Sequence, residues 1–340
     1  MEQRKIMALG KSSLVISLPK PWLKMNNLSR GDKISLSIQN DGSLVVHPVE
    51  DVGEKTREIH LCVKADESDD SIIRRIIGSY LDGYTTVKLT STRIFTVGQQ
   101  RAIRRIVGTL YMMIMESKAS SITLQTLIDE SKASVISGIE RMHVITYSMC
   151  QDVLNSIKNW DKDLARSVVS LEDDIDQLMF LLLRLIRGAA LSPSLANRLN
   201  LDPLDCLDYQ TLVDKIERIA DHTTNAAKSV IALIESGIEV PEDVTAVLLK
   251  AAGIAVTSYD RAVHSFLSKD VALTNEIIDK QRAIEEVYKG ITPLPLFGDP
   301  EEPSILSHII FIRESMKTIS QYAADIAELT IDRAYKSQNS

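Results

Sequence analysis

Cysteine, aromatic residues and long apolar runs are scarce in this chain, and each scarcity removes a class of protein. The three cysteines, Cys62, Cys150 and Cys206, lie far apart and form no C-x-x-C. Such a set supports neither a disulfide framework nor a thiolate zinc site, so buried free thiols are expected. The longest apolar run, LMFLLLRLI at 178–186, is shorter than the ~18–20 residues of a membrane span and carries Arg184. No apolar signal core opens the sequence, so a cytoplasmic protein without membrane insertion is expected. No glycine-rich loop follows a strand-like segment, and neither a nucleophile elbow nor H-E-x-x-H occurs. His47, His60, His143, His264 and His308 share no ligand spacing. Nucleotide binding, an organic cofactor and catalysis are therefore not expected.

The 340 residues suffice for two or three domains, and the low aromatic and glycine content with abundant Leu, Ile, Ala and Glu favours helices. The formal charge of −7 is unevenly placed: residues 1–50 hold seven Lys/Arg against four Asp/Glu, which leaves −10 for the remainder. A basic head on an acidic body assigns any nucleic-acid contact to the head.

Residues 1–50 alternate short apolar segments with turns. RKIMAL and SLVISL flank a GKS turn, Pro21 can open a short helix, and KISLSIQ and SLVVHP flank the hairpin signal Asn40-Asp41-Gly42. So short a segment can hardly bury a core alone, so strand-swapped dimerisation is expected. The opening basic strand, SLPKPW, LSRGDKISL and NDGSLVVHP resemble the AbrB/MazE-type swapped-hairpin domain. That resemblance implies a dimer that binds DNA through Arg4, Lys5, Lys11, Lys20 and Lys24.

Residues 56–128 contain a repeat: Ile73-Arg74-Arg75-Ile76-Ile77-Gly78 recurs thirty residues on as Ile103-Arg104-Arg105-Ile106-Val107-Gly108. Strand-like REIHLCVKA, TTVKLTS and SSITLQTL surround the copies. A small β-α-β-α-β domain with helices on one face follows, its arginines read as snorkelling surface residues.

From about 131 the pattern is helical, with breaks near Trp160-Asp161, 190–208, 236–241 and 291–304. Two tandem three-helix units are expected, 131–236 and 241–337, giving a mainly α protein preceded by the swapped-hairpin β domain and the α/β domain. The first unit carries two Glu-x-x-x-Asp pairs, Glu172/Asp176 and Glu217/Asp221. Residues four apart share a helix face, and like charges at that spacing destabilise an isolated helix. Two such pairs on successive helices suggest a surface that gathers a cation or a cationic partner. Carboxylates suit hard cations and iron; Asp173 and His222 lie alongside, and Lys215 and Arg218 are the alternative salt-bridge partners of an ordinary acidic face.

DLARSVVSLEDDIDQL and KIERIADHTTNAAKSV resemble the PhoU family, the second through its E-R-x-x-D-x-x-x-N run. The resemblance implies a homodimeric or higher-order regulator of phosphate transport and phosphate-responsive transcription, not an enzyme. Its partners would be DNA and a phosphate-transporter ATPase or a sensor protein, and iron or zinc would sit on Glu172, Asp176, Glu217 and Asp221. The second unit departs from this pattern. Lys317 and Gln321 stand opposite Glu217 and Asp221. Opposite Glu172 and Asp176 stand Gln281 and Glu285 in one register, Asp279 and Ala283 in another. Only the first unit is then metal-competent. The alternative reading is a metal-binding adaptor whose head dimerises without touching DNA. A ferritin-like di-metal oxidase is disfavoured, because the histidine nearest Glu217 is five residues away rather than three.

Overall fold

The computed structural model describes residues 3–10, 13–38, 42–48, 57–237, 240–279 and 303–336. The chain divides into two compact units, 1–55 and 56–340.

In the first unit, β1 (Met7–Leu9) pairs antiparallel with β2 (Ser13–Val15), helix α1 (Lys20–Met25) follows, and β3 (Ile34–Ile38) pairs antiparallel with β4 (Leu44–Pro48). Pro19 caps α1 and Pro21 sits in its first turn, where a missing N–H costs nothing. Gly42, at φ +77°, supplies the left-handed residue that the β3–β4 connection requires. None of the described residues of this unit is buried, and Leu14 and Ile38 are 74% and 75% exposed. The shortage of core expected from length is thus present in the unit itself.

The second unit opens with an α/β layer: β5 (Glu58–Val63), α2 (Asp69–Leu81), β6 (Thr86–Ser91), α3 (Val97–Thr109), β7 (Met112–Lys118) and β8 (Ser121–Thr126). The sheet order is β5-β6-β8-β7, with β5 and β6 parallel and the remaining pairs antiparallel. Strand β7 was not anticipated: YMMIMESK has no β-branched alternation apart from Ile114. Both helices pack on one sheet face, Ile72, Ile76 and Tyr80 of α2 and Ile103, Ile106 and Val107 of α3 against Val87, Leu89, Ile122 and Leu124. Ser68 caps α2, and Thr96 with Gln99 forms a capping box on α3.

The helical body consists of α4 (Val135–Asn159), α5 (Lys162–Ser170), α6 (Glu172–Leu191), α7 (Pro193–Leu199), α8 (Pro203–Ser236) and α9 (Glu242–Ser268). A helix α10 covers 271–279 within the described residues, and α11 is Pro303–Lys336. One continuous core runs from Val135 to Ala327. Trp160, in the left-handed conformation, ends α4, and Asp161 then caps α5 through Asp163 and Leu164 N–H, each 3.0 Å away. Gly237, at φ +70°, ends α8. The break anticipated at 291–304 falls largely outside the described residues.

Helix α6 also grips the α/β layer. Gln177 Nε2 donates to the Gly108 carbonyl at the end of α3 (3.0 Å). Arg187 donates to Asp82 Oδ1 (2.8 Å) beyond α2. Arg184, 1% exposed, pairs with Glu130 (2.6 Å), donates to the carbonyls of Tyr80 and Tyr84, and lies over the Tyr80 ring. These donors add to the carbonyl contacts at the C-terminal ends of α2 and α3, where the helix dipole favours positive charge.

Candidate functional site

On α8, Val213, Ile216, Ala220 and Ala227 are buried, so Glu217 and Asp221 stand half-buried at the edge of the apolar stripe. The segment expected as one second helix is broken at Leu171, which ends α5 and precedes α6. Glu172 therefore begins a helix rather than lying inside one. No side chain caps α6; Glu172, Asp173 and Asp174 in its first turn complement the helix dipole instead. That dipole accounts for three carboxylates. It does not account for Asp176, a turn further in and half-buried, or for Glu217 and Asp221 facing it from α8.

Burial raises the Glu217 carboxyl to about 7, and Asp221, Asp176 and Asp214 push it the same way. Asp176 is raised to about 6 by burial, then by Asp221, Glu172 and Asp173. Asp221 is raised by burial and by Glu172. The structure thus brings the two pairs into one mutually repelling cluster. The cations beside it are mostly committed elsewhere: Lys215 to Asp325 (2.7 Å) and Arg218 to Asp214 (2.9 Å). Lys228 reaches Glu172 at 3.2 Å. Asp176, Glu217 and Asp221 form no salt bridge among the described residues. Asp173 is exposed, and His222 turns its ring towards Tyr322, 5.9 Å away.

Among the described residues, no three His, Cys, Asp or Glu side chains converge tightly enough to enclose a metal ion. The chemistry of the donor set nonetheless fits a hard cation: half-buried carboxylates whose mutual repulsion a positive ion would relieve. The counterpart on α11 carries Lys317 and Gln321, and Asp279 is exposed on α10; positions 281, 283 and 285 lie outside the described residues.

In the first unit Arg4, Lys5, Lys20 and Lys24 are all exposed. Lys20 and Lys24 are four apart on α1, and Arg4 donates to Ser17 Oγ at 3.1 Å. Lys11 lies outside the described residues.

The PhoU domain model matches this chain twice, over residues 139–230 and 248–330, together just over half its length. The chain belongs to the PhoU family. The first match spans most of α4 to α8 and the second most of α9 to α11, so the duplicated helical body is a tandem PhoU array. A second match, to the antidote-toxin recognition domain of the bacterial antitoxin MazE, covers residues 7–54. Among characterised proteins, the chain is 23% identical over 213 residues to the phosphate-specific transport system accessory protein PhoU homolog of Rhizobium meliloti (strain 1021), covering 60% of this chain and 86% of that protein. The phosphate transport system regulatory protein PhoU of Streptococcus pneumoniae is similar in fold, with a TM-score of 0.51 at 16% identity over 60% of this chain and 94% of that one. PhoU of Pseudomonas aeruginosa aligns with a TM-score of 0.48 at 23% identity, over 58% and 93% of the two chains.

Two features of this PhoU chain had no clear sequence signal. Arg184 interrupts an apolar run and gives no hint that its partner is Glu130, 54 residues earlier. A cleft of about 420 Å³ also lies between α8 and α11, where His222 and Lys228 face His308 and Phe311. Its polar lining comes from residues separated by about 90 positions, beyond any local spacing rule.

Proposed function

We propose that this protein regulates phosphate uptake and phosphate-responsive transcription, acting by binding rather than by catalysis. The observation that carries the proposal is the carboxylate cluster on α6 and α8, held half-buried and without salt bridges on Asp176, Glu217 and Asp221 in a tandem PhoU body. Glu172, Asp176, Glu217 and Asp221 would hold a metal ion, iron or zinc. A bound cation would offset the repulsion within the cluster and so let an acidic group of a partner approach this face. A transporter ATPase or a sensor protein is the class of partner proposed, by analogy with proteins named for phosphate transport. Glu217 and Asp176, protonated in part near neutrality, would release protons as the cation enters.

The head would carry the output, with Arg4, Lys5, Lys11, Lys20 and Lys24 contacting DNA as a dimer. A second reading, a dimeric adaptor that touches no DNA, is favoured by the exposed apolar residues of the first unit, which dimerisation alone would explain.

The test is the metal content of protein purified without chelator, wild type against Glu217→Gln/Asp221→Asn. Metal bound in a fixed ratio by the wild type and lost from the variant is expected. Equal metal in both, or none in either, would remove the metal role and leave a protein-docking face.

A further inference from the structure

The duplicated I-R-R-I-x-G segment is not used by the function proposed above. Its two copies lie side by side in the structure. A Cβ at Gly98 in the first turn of α3 would sit 3.0 Å from the Asp69 carboxylate in the first turn of α2, so the two N-termini are adjacent. Because β5 and β6 are parallel, the helices run the same way. Ile72, Ile76 and Tyr80 of α2 and Ile103, Ile106 and Val107 of α3 face the sheet. The opposite faces expose Asp70, Arg74 and Gly78 on α2, and Arg101, Arg104, Arg105 and Gly108 on α3, so the arginines outnumber the one carboxylate on these faces.

Arg75 is internally satisfied, bonding Glu67 at 3.0 Å and the Cys62 carbonyl at 2.9 Å. Arg74, Arg101, Arg104 and Arg105 differ: none makes an ion pair, side-chain hydrogen bond or ring contact among the described residues. One helical turn is about 5.4 Å and packed helices lie about 8–10 Å apart, so four guanidinium groups crowd a small surface. Residues 57–128 hold ten Lys/Arg against seven Asp/Glu in a chain whose net charge is −7. The glycines supply an independent observation. A Cβ at Gly78 or Gly108 would meet nothing within 4 Å, so neither is there for internal packing. Glycine in a helix costs about 0.5–1 kcal/mol relative to alanine, and here Gly78 and Gly108 leave open backbone one turn after Arg74 and Arg104.

We propose that the outer face of α2 and α3 contacts the backbone of duplex DNA, with Arg74, Arg101, Arg104 and Arg105 each neutralising a phosphate. A lipid surface would be held by these charges alone, with no second apolar anchor, because the apolar faces of both helices are packed on the sheet. A small free anion would need converging donors in a concave site, whereas these lie on the outer faces of two adjacent helices. The inference deepens the DNA-binding part of the proposed function and rests on it for the choice of probe.

The experiment uses the full-length protein and a labelled 30-base-pair duplex of mixed sequence, with binding followed by fluorescence anisotropy between ~50 and ~200 mM salt. Arg74→Ala/Arg101→Ala/Arg104→Ala/Arg105→Ala is compared with the four Arg→Lys changes and with Lys5→Ala/Lys20→Ala in the head. Each lost phosphate contact lowers the log–log salt slope by about 0.9, so the alanine variant should lose about 3.6 and the lysine variant little. Wild-type affinity and slope in the alanine variant, with a flattened slope in the head variant, would overturn the inference and leave the head reading standing. A flattened slope in the alanine variant with the head variant unchanged would support the inference and overturn the head reading. Absence of salt-dependent binding by the wild type would overturn both.

Discussion

Burial, reinforced by neighbouring carboxylates, raises the Glu217 carboxyl to about 7 and Asp176 to about 6. Both groups bind protons more tightly folded than unfolded, where an ordinary glutamate titrates near 4.3. The metal-free protein therefore loses stability as pH rises from about 4 towards about 7, and the loss levels off above that. Glu217→Gln should raise the metal-free melting temperature at pH 8 and weaken its dependence on pH between 5 and 7. A lower melting temperature at pH 8 would show that the carboxylate has a favourable partner instead. Arg184 is the opposite case, a buried charge paired through Nε and Nη1, with only Nη2 lacking a partner among the described residues. Arg184→Met should cost about 3 kcal/mol in denaturant unfolding, because Glu130 and two carbonyls lose their donor. A loss below about 0.5 kcal/mol would mean that water replaces the arginine.

Among the elements, α8 is the spine of the body, packing against α4, α5, α6 and α11. Its start lies inside the break expected at 190–208, where the structure places α7 and then makes Asp202 and Asp205 a reciprocal capping box on α8. Asp202→Ala should therefore destabilise the body by about 1 kcal/mol, read from the midpoint of urea unfolding. Breaks at Trp160 and Gly237 were equally legible, because a left-handed residue or a glycine stop is written locally. The break at Leu171 was not. SVVSLEDDID contains neither Gly nor Pro, and no side-chain cap marks the start of α6 there. Strand β7 was missed for a related reason: its methionines carry no strand preference, and pairing with β8 fixes it. The acidic site was half legible. Spacing put each pair on one helix face and put Arg218 four residues from Asp214, but only packing of α8 on α11 shows that Lys215 pairs with Asp325.

At the scale of the whole molecule, two tandem PhoU repeats follow a head that buries nothing by itself. The basic head and acidic body were legible as charge asymmetry, and the missing core as a matter of length. The head's apolar residues, Ile6, Leu9, Leu14 and Ile38 among them, are exposed in a single copy. The protein should therefore be a dimer or larger by light scattering, and Leu14→Asp/Ile38→Asp should lower its mass in solution. An unchanged mass would place the association elsewhere. The central claim, that the α6–α8 carboxylates serve phosphate regulation, is tested most directly by phosphate uptake in cells lacking the chromosomal copy. These cells would be complemented with wild type, with Glu217→Gln/Asp221→Asn, or with the exposed control Glu242→Gln, at matched protein levels. Regulated uptake restored by wild type and control but not by the double variant is the expected result. Full restoration by the double variant would contradict the claim.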